Sequence, residues 1–159
     1  MLADTHLRDY RLMPEVVSAA VEDADVVFHA GDVTERSVLD ELAARARVLY
    51  AVLGNNDRGL ADRLPETLAV ELSGVAVALV HDSGPARGRP RRLARRFPQA
   101  DVVVFGHSHI PLSEPGEGAQ WLFNPGSPTQ RRRQPQGSFG MLVFAAGKLR
   151  SARIVPVGS

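Results

Sequence analysis

The sequence predicts an α/β fold, and three observations predict it. Short apolar runs at Val26 to Phe28, Val48 to Leu53, Val75 to Val80 and Val102 to Val104 read as buried strands. In the first third they alternate with segments of helical period, a βαβαβ pattern that implies a parallel sheet. Each run also ends in polar residues suited to chemistry: His29 after Phe28, His81 after Val80, His107 and His109 just after Phe105, with Asp4, His6, Asp32 and Asn55 in equivalent places. Several strands would thus present oxygen and nitrogen donors at one carboxyl edge, where α/β folds place their sites. At 159 residues and 44% hydrophobic content the chain makes one domain, 1–159, able to bury about two-thirds of its unfolded surface.

The first strand reads as clipped, because Met1-Leu2-Ala3 leaves three residues before Asp4, whereas a central strand usually runs to about five. A misplaced start or a truncation would produce this, at the expense of ladder hydrogen bonds beside the site. Leu12, Val16, Val17, Ala20 and Val21 predict an amphipathic helix over about 12 to 23, with Pro14 in its first turn. A strand over 25–28 follows. Thr34 is the expected N-cap of a helix through Val38, Leu39, Leu42 and Ala43, which leads to a strand over 47–53. Thr67 to Leu72 and Val75 to Val80 predict a hairpin about Ser73-Gly74. Arg89 to Phe97 reads as a short basic helix, 101–105 as a buried strand and Trp121 to Phe123 as another. Phe139 to Ala145 and Leu149 to Val157 predict a hairpin about Gly147-Lys148, whose exposed apolar strands allow a homo-oligomer. Two stretches, 110–119 and 128–137, read as irregular, and long loops are often functional.

Composition removes several classes. There is no cysteine, which excludes disulfides and thiolate ligands, leaving imidazole, carboxylate and amide oxygen as metal donors. No apolar run reaches bilayer length and no basic segment precedes an apolar core, so a cytoplasmic protein is expected. A net charge of +1 gives no general field for nucleic acid or membrane. All basic residues but Lys148 are arginine, a bias that GC-rich codons explain as simply as phosphate binding does.

Phe105-Gly106-His107-Ser108-His109 organises these features. Two imidazoles one residue apart at a strand end turn toward one point only if the backbone leaves β geometry, and Gly106 makes that departure easy. Alone they would more simply be solvated loop histidines. The five histidines together, each behind an apolar run, favour metal ligation.

Asp4-Thr5-His6, Gly31-Asp32, Gly54-Asn55-Asn56-Asp57, His81 and Gly106-His107-Ser108-His109, each at a strand end, resemble the motif series of the calcineurin-like metallophosphoesterases. Asn124-Pro125-Gly126-Ser127 and the short length resemble its small prokaryotic phosphodiesterase branch. The resemblance implies a two-layer mixed β-sheet sandwich flanked by helices, the metallo-dependent phosphatase fold. It also implies two divalent metal ions, with manganese foremost and iron, zinc, nickel or magnesium as alternatives. Asp4, His6 and His109 would hold one ion, Asn55, His81 and His107 the other, with Asp32 as bridge. A bridging hydroxide would attack the phosphorus of a small phosphate ester.

The chain departs from the family pattern at Asn56, where many members have a histidine thought to protonate the leaving group. An amide donates only a hydrogen bond, and lost general acid catalysis is worth about 10² to 10⁴ in rate. A phosphodiesterase, or a slow phosphatase, preferring good leaving groups is therefore expected, with Asn56 and Asp57 as its catalytic-loop residues and Asp57 orienting the loop. Asp82 stands where relatives often have glycine, and would crowd the substrate or accept a turn hydrogen bond. His29 is expected to support the site without ligating, and Trp121 to lie in the core. One arginine of Arg131-Arg132-Arg133 would clamp a substrate phosphate or remain solvated. The cluster from Arg87 to Arg96 would be a solvated face, or one that meets nucleic acid or an acidic partner. A non-catalytic scaffold is the alternative function, since a retromer subunit resembles the same branch. A nuclease would need a substrate groove, and there is no insertion to build one.

Overall fold

A computed structural model describes residues 1–158. The helices are Glu15–Asp23 (α1), Arg36–Arg45 (α2) and Arg89–Arg96 (α3), burying Val17 and Val21, Val38, Leu39 and Leu42, and Leu93 respectively. Helix α1 starts later than its apolar spacing predicts. Tyr10–Leu12 forms a separate 3₁₀ turn capped by the Asp9 side chain, and Pro14 stands before the helix with extended ψ. The break rotates Leu12 off the buried face, leaving it 65% exposed, and Val16 is 46% exposed. Thr34 is not the cap of α2 either. Its backbone is left-handed, at φ 77°, and its amide donates to Asp57 at 2.7 Å, so Glu35 occupies the cap position.

Nine strands form among the described residues: Val27–His29 (β1), Leu49–Ala51 (β2), Thr67–Leu72 (β3), Val75–Val80 (β4), Val102–Val104 (β5), Leu112–Pro115 (β6), Trp121–Asn124 (β7), Ser138–Ala145 (β8) and Lys148–Pro156 (β9). The β3–β4 hairpin turns at Ser73-Gly74, with φ of 51° and 77°, the positive pair that suits the twist of paired strands. The last hairpin turns at Ala146-Gly147, one residue earlier than predicted, again with two positive φ angles. Strand β6 lies in a stretch expected to be irregular. Its alternation is weak, and antiparallel pairing with β7 supplies what the local pattern lacks.

The strands form two layers. One has the order β3-β4-β5-β7-β6. The other joins parallel β1 and β2 to the β8–β9 hairpin through the first residues of the chain: Leu2 exchanges backbone bonds with Phe28 and Ala30, and Gly140 donates to Met1. The first strand is thus a single bridge, Leu2 opposite His29, lying between β1 and β8. Between the layers lie Ala3, Phe28, Val75, Val77, Leu79, Val102, Val104 and Phe123. The alternate residues Ala78, Val80, Val103 and Leu122 point the other way and pack with Leu93 of α3, while Val27 and Ala51 face α1 and α2. Side chains alternate across a strand, so strands covered on both faces read as unbroken apolar runs. In the final hairpin most apolar residues pack onto these cores, and Val143 stays exposed.

Candidate metal centre

All seven predicted ligands meet at one edge of the sandwich, beyond the carboxyl ends of β1, β2, β4 and β5. In one group, His109 Nε2 lies 3.5 Å from Asp4 Oδ1, and His6 Nε2 lies 4.0 Å from the same oxygen. In the other, Asn55 Oδ1 lies 2.9 Å from His81 Nε2 and 3.0 Å from His107 Nδ1. Asp32 Oδ2 sits between the groups, 3.4 Å from His6 Nε2 and 3.5 Å from His81 Nε2. Possible cation-binding triads are Asp4 with His6 and His109, and Asp4 with Asp32 and His81.

The backbone reaches this arrangement through strain. Asp4, His6, Asp32, His107 and His109 all have left-handed φ angles, between 43° and 68°. Such residues cost about 1–3 kcal/mol each and persist where the surroundings impose them. The departure from β geometry after β5 is thus made by His107 and His109 themselves. Gly106 serves differently: a Cβ there would lie 2.8 Å from Ala3 Cβ and 2.9 Å from Asp4 Oδ2, so glycine lets the two loops touch. At Gly54 a Cβ would overlap the Asp32 amide and carboxylate.

Several residues that hold these loops carry no ligand signature in the sequence. Buried Asn124 donates to the Gly106 carbonyl at 3.0 Å and to Ser108 Oγ, and accepts from the Gly126 amide. Ser127 Oγ donates to the Asp4 carbonyl at 2.7 Å and accepts from the Gln130 amide at 2.9 Å. Thr129 donates to the Thr5 carbonyl. The motif Asn124-Pro125-Gly126-Ser127 is therefore the brace between the first and fifth ligand loops. Asp57 is buried, and its oxygens accept from the amides of Asp32, Gly54 and Thr34. It orients the loop from below. The Asn56 amide group donates to Asp32 Oδ2 at 2.8 Å and its backbone N–H to Oδ1 at 2.9 Å, so Asn56 is spent on the central carboxylate.

Carbonyl contacts fix two tautomers. His109 Nδ1 lies 2.7 Å from the Gln130 carbonyl and His81 Nδ1 2.8 Å from the Ala30 carbonyl. Carbonyls only accept, so both Nδ1 atoms carry the proton; in its neutral form each ring turns an Nε2 lone pair into the site, bare at His109, while His81 when protonated donates from Nε2 to Asp32. There these lone pairs face oxygens. Buried Asp4 Oδ2, His6 Nε2 and His109 Nε2 have no hydrogen-bond partner. A cation among them converts these repulsive acceptor contacts into ligand bonds, so the donor set fits a divalent ion of the kind that N/O sites accept.

The titrating groups reflect the same crowding. Burial, reinforced by neighbouring Asp32, pushes Asp4 up to about 7. Burial also lowers His6 and His109. For Asp32 burial acts upward, but hydrogen bonds from His81 and Asn56 overcome it and hold the carboxyl below its usual range. His81 is opposed by burial and raised by its bonds to Asp32 and Ala30.

Other predicted residues fall outside the cluster. His29 is fully buried, with Nε2 3.1 Å from Thr5 Oγ1, beneath the first loop. Asp82 accepts a turn hydrogen bond from Gly84 at 2.7 Å. Trp121 is half-buried at the edge of the inter-layer core, its N–H donating to Ser113. Within 131–133, Arg131 bonds the Gln134 carbonyl, while the charge of Arg132 acts on Asp4, His6 and His109.

Fold and site together define an α/β metal-binding protein of two packed sheets. The calcineurin-like phosphoesterase superfamily domain matches residues 1–147, and the chain belongs to that family of phosphate-ester hydrolases. It is 36% identical over 162 residues to a protein of Methanothermobacter thermautotrophicus named "Probable metallophosphoesterase", covering 100% of this chain and 92% of the relative. Among solved structures, Vps29 of Chaetomium thermophilum superposes with a TM-score of 0.80 at 16% identity, over 97% of this chain and 92% of the other. A structure described as a novel archaeal phosphodiesterase matches with a TM-score of 0.69 at 21% identity, over 97% of each chain. At these identities the two structures show the fold alone. No helix among the described residues is long and apolar enough to cross a membrane.

Proposed function

We propose that this protein is a metal-dependent phosphodiesterase of small esters with good leaving groups, such as aryl phosphates, working with two divalent cations, manganese foremost. The observation that carries this reading is the convergence of the buried, unpartnered Nε2 atoms of His6 and His109 on the Asp4 carboxylate beside the Asn55–His81–His107 group. A scaffold has no use for strained loops that aim bare lone pairs at one another. Asp4, His6 and His109 would hold one cation and Asn55, His81 and His107 the second, with Asp32 common to both. When bound, such ions supply Lewis acidity and lower the pKa of water. The chain's own residues do the rest. The Ala30 and Gln130 carbonyls hold the neutral rings of His81 and His109 in the tautomer that leaves Nε2 free to ligate. Arg132, whose charge acts on Asp4, His6 and His109, would draw a phosphate anion toward the site. Asn56, already bonded to Asp32, has no proton to give a departing alkoxide, so the leaving group departs without general-acid help.

The test is hydrolysis of bis-p-nitrophenyl phosphate against p-nitrophenyl phosphate by metal-stripped protein titrated with Mn²⁺, beside Asp32→Ala. Diester turnover that requires metal and is lost in the variant is expected. Stoichiometric metal binding without turnover of either ester would replace this reading with the scaffold. Equal rates on alkyl and aryl monoesters would sink the leaving-group argument.

A further inference from the structure

Arginine is distributed in two ways along this chain. In the first 63 residues Arg11, Arg36, Arg45, Arg47 and Arg63 each meet a carboxylate. Between residues 87 and 96 there are six more, and among the described residues none of them forms an ion pair. Two of the six are engaged within the fold. Arg92 bonds the Ser83 and Pro85 carbonyls, and Arg89 lies over the Phe105 ring and bonds Ser83. Arg87, Arg91, Arg95 and Arg96 are exposed. Helix α3 has no acid in its first turn, and it sets Arg91 against Arg95, and Arg92 against Arg96, at a spacing of four. Both features oppose helix formation. Carboxylates brought by another molecule would relieve both.

Beside the C-terminal end of α3 the surface changes character. Ala69 and Ala78 are opposite each other in the β3–β4 ladder, and Ala76 lies two residues before Ala78, so the three share the face of the hairpin on which Leu93 packs. Their small side chains leave a hollow of about 230 Å³, lined also by Phe97 and Pro98. Arg96 borders this hollow, and it also borders an open one of about 530 Å³ along Gly88, Arg91, Arg92 and Arg95. Those positions recur every three or four residues, on one face of the helix. A basic stripe therefore runs into an apolar hollow. Toward the metal centre the charge changes sign, because Arg96 shares a shallow groove with Glu66 and Asp82 beside Asn55 and His81. These carboxylates repel acids, so an anionic partner is confined to the helix and the hollow.

We propose that this face docks a segment of another protein, one that sets acidic side chains along Arg91 and Arg95 and an aliphatic side chain in the alanine-lined hollow. The charge calls for an anion, and the hollow decides its class. A nucleic-acid strand gains much of its affinity from bases stacked on aromatic rings. Among the described residues Phe97 is the one aromatic side chain lining either hollow. It packs on the Leu93 cluster and carries the Arg96 guanidinium 5.3 Å from its ring centre, so it is not free to stack on a base. A leucine-sized side chain, by contrast, finds apolar walls there. An apolar anchor in a groove beside complementary charge is how short protein segments are recognised. This docking is independent of the phosphodiesterase reading.

The experiment measures, by anisotropy, binding of two fluorescein-labelled peptides to the full chain: a run of glutamates preceded by two leucines, and the same run followed by two leucines. It is done in EDTA across a salt series, so its outcome does not depend on catalysis, and failure of the phosphodiesterase reading shows separately in the aryl diester assay. Saturable binding of at least one peptide, weakened by salt, is expected. Replacing its leucines by serine should weaken it about 10- to 100-fold, and Arg91→Gln/Arg95→Gln about 3- to 30-fold. Ala69→Trp, at an exposed strand position lining the hollow, should remove the advantage of leucine over serine and leave binding of the serine peptide unchanged. The Tm of each variant confirms its fold. No saturable binding of either peptide, or undiminished binding by the arginine variant, would overturn the proposal. Tighter binding of oligothymidylate than of either peptide at equal charge would replace it with a nucleic-acid surface, and a sedimenting dimer abolished in the arginine variant would replace it with a second copy of this chain.

Discussion

Replacing Ser127 by alanine tests whether the brace of the site works through hydrogen bonds. The hydroxyl is 1% exposed, donates to the Asp4 carbonyl at 2.7 Å and accepts from the Gln130 amide at 2.9 Å. Without it the buried Asp4 carbonyl is stranded, at about 1–3 kcal/mol, while the amide of exposed Gln130 turns to water, so a loss of about 1–3 kcal/mol is expected. For a chain of this size that is a fall in Tm of roughly 2–12 °C. The effect reaches two ligands of the same group. Asp4 is held directly, and His109 through the Gln130 carbonyl that fixes its tautomer. Both have left-handed φ angles that relax once the restraint is gone. Metal affinity should therefore weaken roughly 10- to 100-fold, the usual consequence of losing a group that orients a ligand. Urea titration and isothermal calorimetry with Mn²⁺ measure the two effects. A lower Tm with Mn²⁺ affinity within about twofold of the wild type would refute the positioning role, and no change in either would refute the structural one as well.

Gly106→Ala places a methyl 2.8 Å from Ala3 Cβ and 3.1 Å from the Ala30 carbonyl, both inside the sandwich, so the loops must part. Overpacking of this kind costs about 1–3 kcal/mol, and a thermal melt indistinguishable from wild type would show that the contact yields freely. Buried His29, which burial pushes down to about 3, makes stability fall with acid. Between about pH 6.5 and 3 the unfolded chain binds a proton that the native imidazole refuses, so stability drops as pH is lowered, by up to about 1.4 kcal/mol per pH unit. Asp4, raised to about 7, acts with the opposite sign, favouring the metal-free fold below that pH, and is common to both proteins. The difference between His29→Gln and wild type in urea titrations at pH 3.5, 5 and 6.5 isolates His29, and equal slopes would contradict its neutral burial.

Apolar runs and the polar residues at their ends were enough to place most strands and to nominate all seven converging side chains. These signals are legible because a strand buried on both faces must be apolar throughout, while the residue that ends it is free to be chemical. Leu12 and Thr34 show where local pattern fails. A helical spacing extends through Leu12, but the Asp9-capped turn and Pro14 interrupt it, and the cap at Thr34 loses to the Asp57 carboxylate far along the chain. Strand β6 was hidden for the same reason, since its pairing with β7 decides it. The orientation of Asn56 toward Asp32, the brace at Asn124 and Ser127, and the unpaired charge of α3 likewise depend on residues remote in sequence. The sequence by itself determined which strands end in donors, because periodicity and residue type act within a few positions. Only the tertiary structure decided which hydrogen bonds those donors keep and which lone pairs stay bare, because that follows from carbonyls and amides that different loops bring to the same edge.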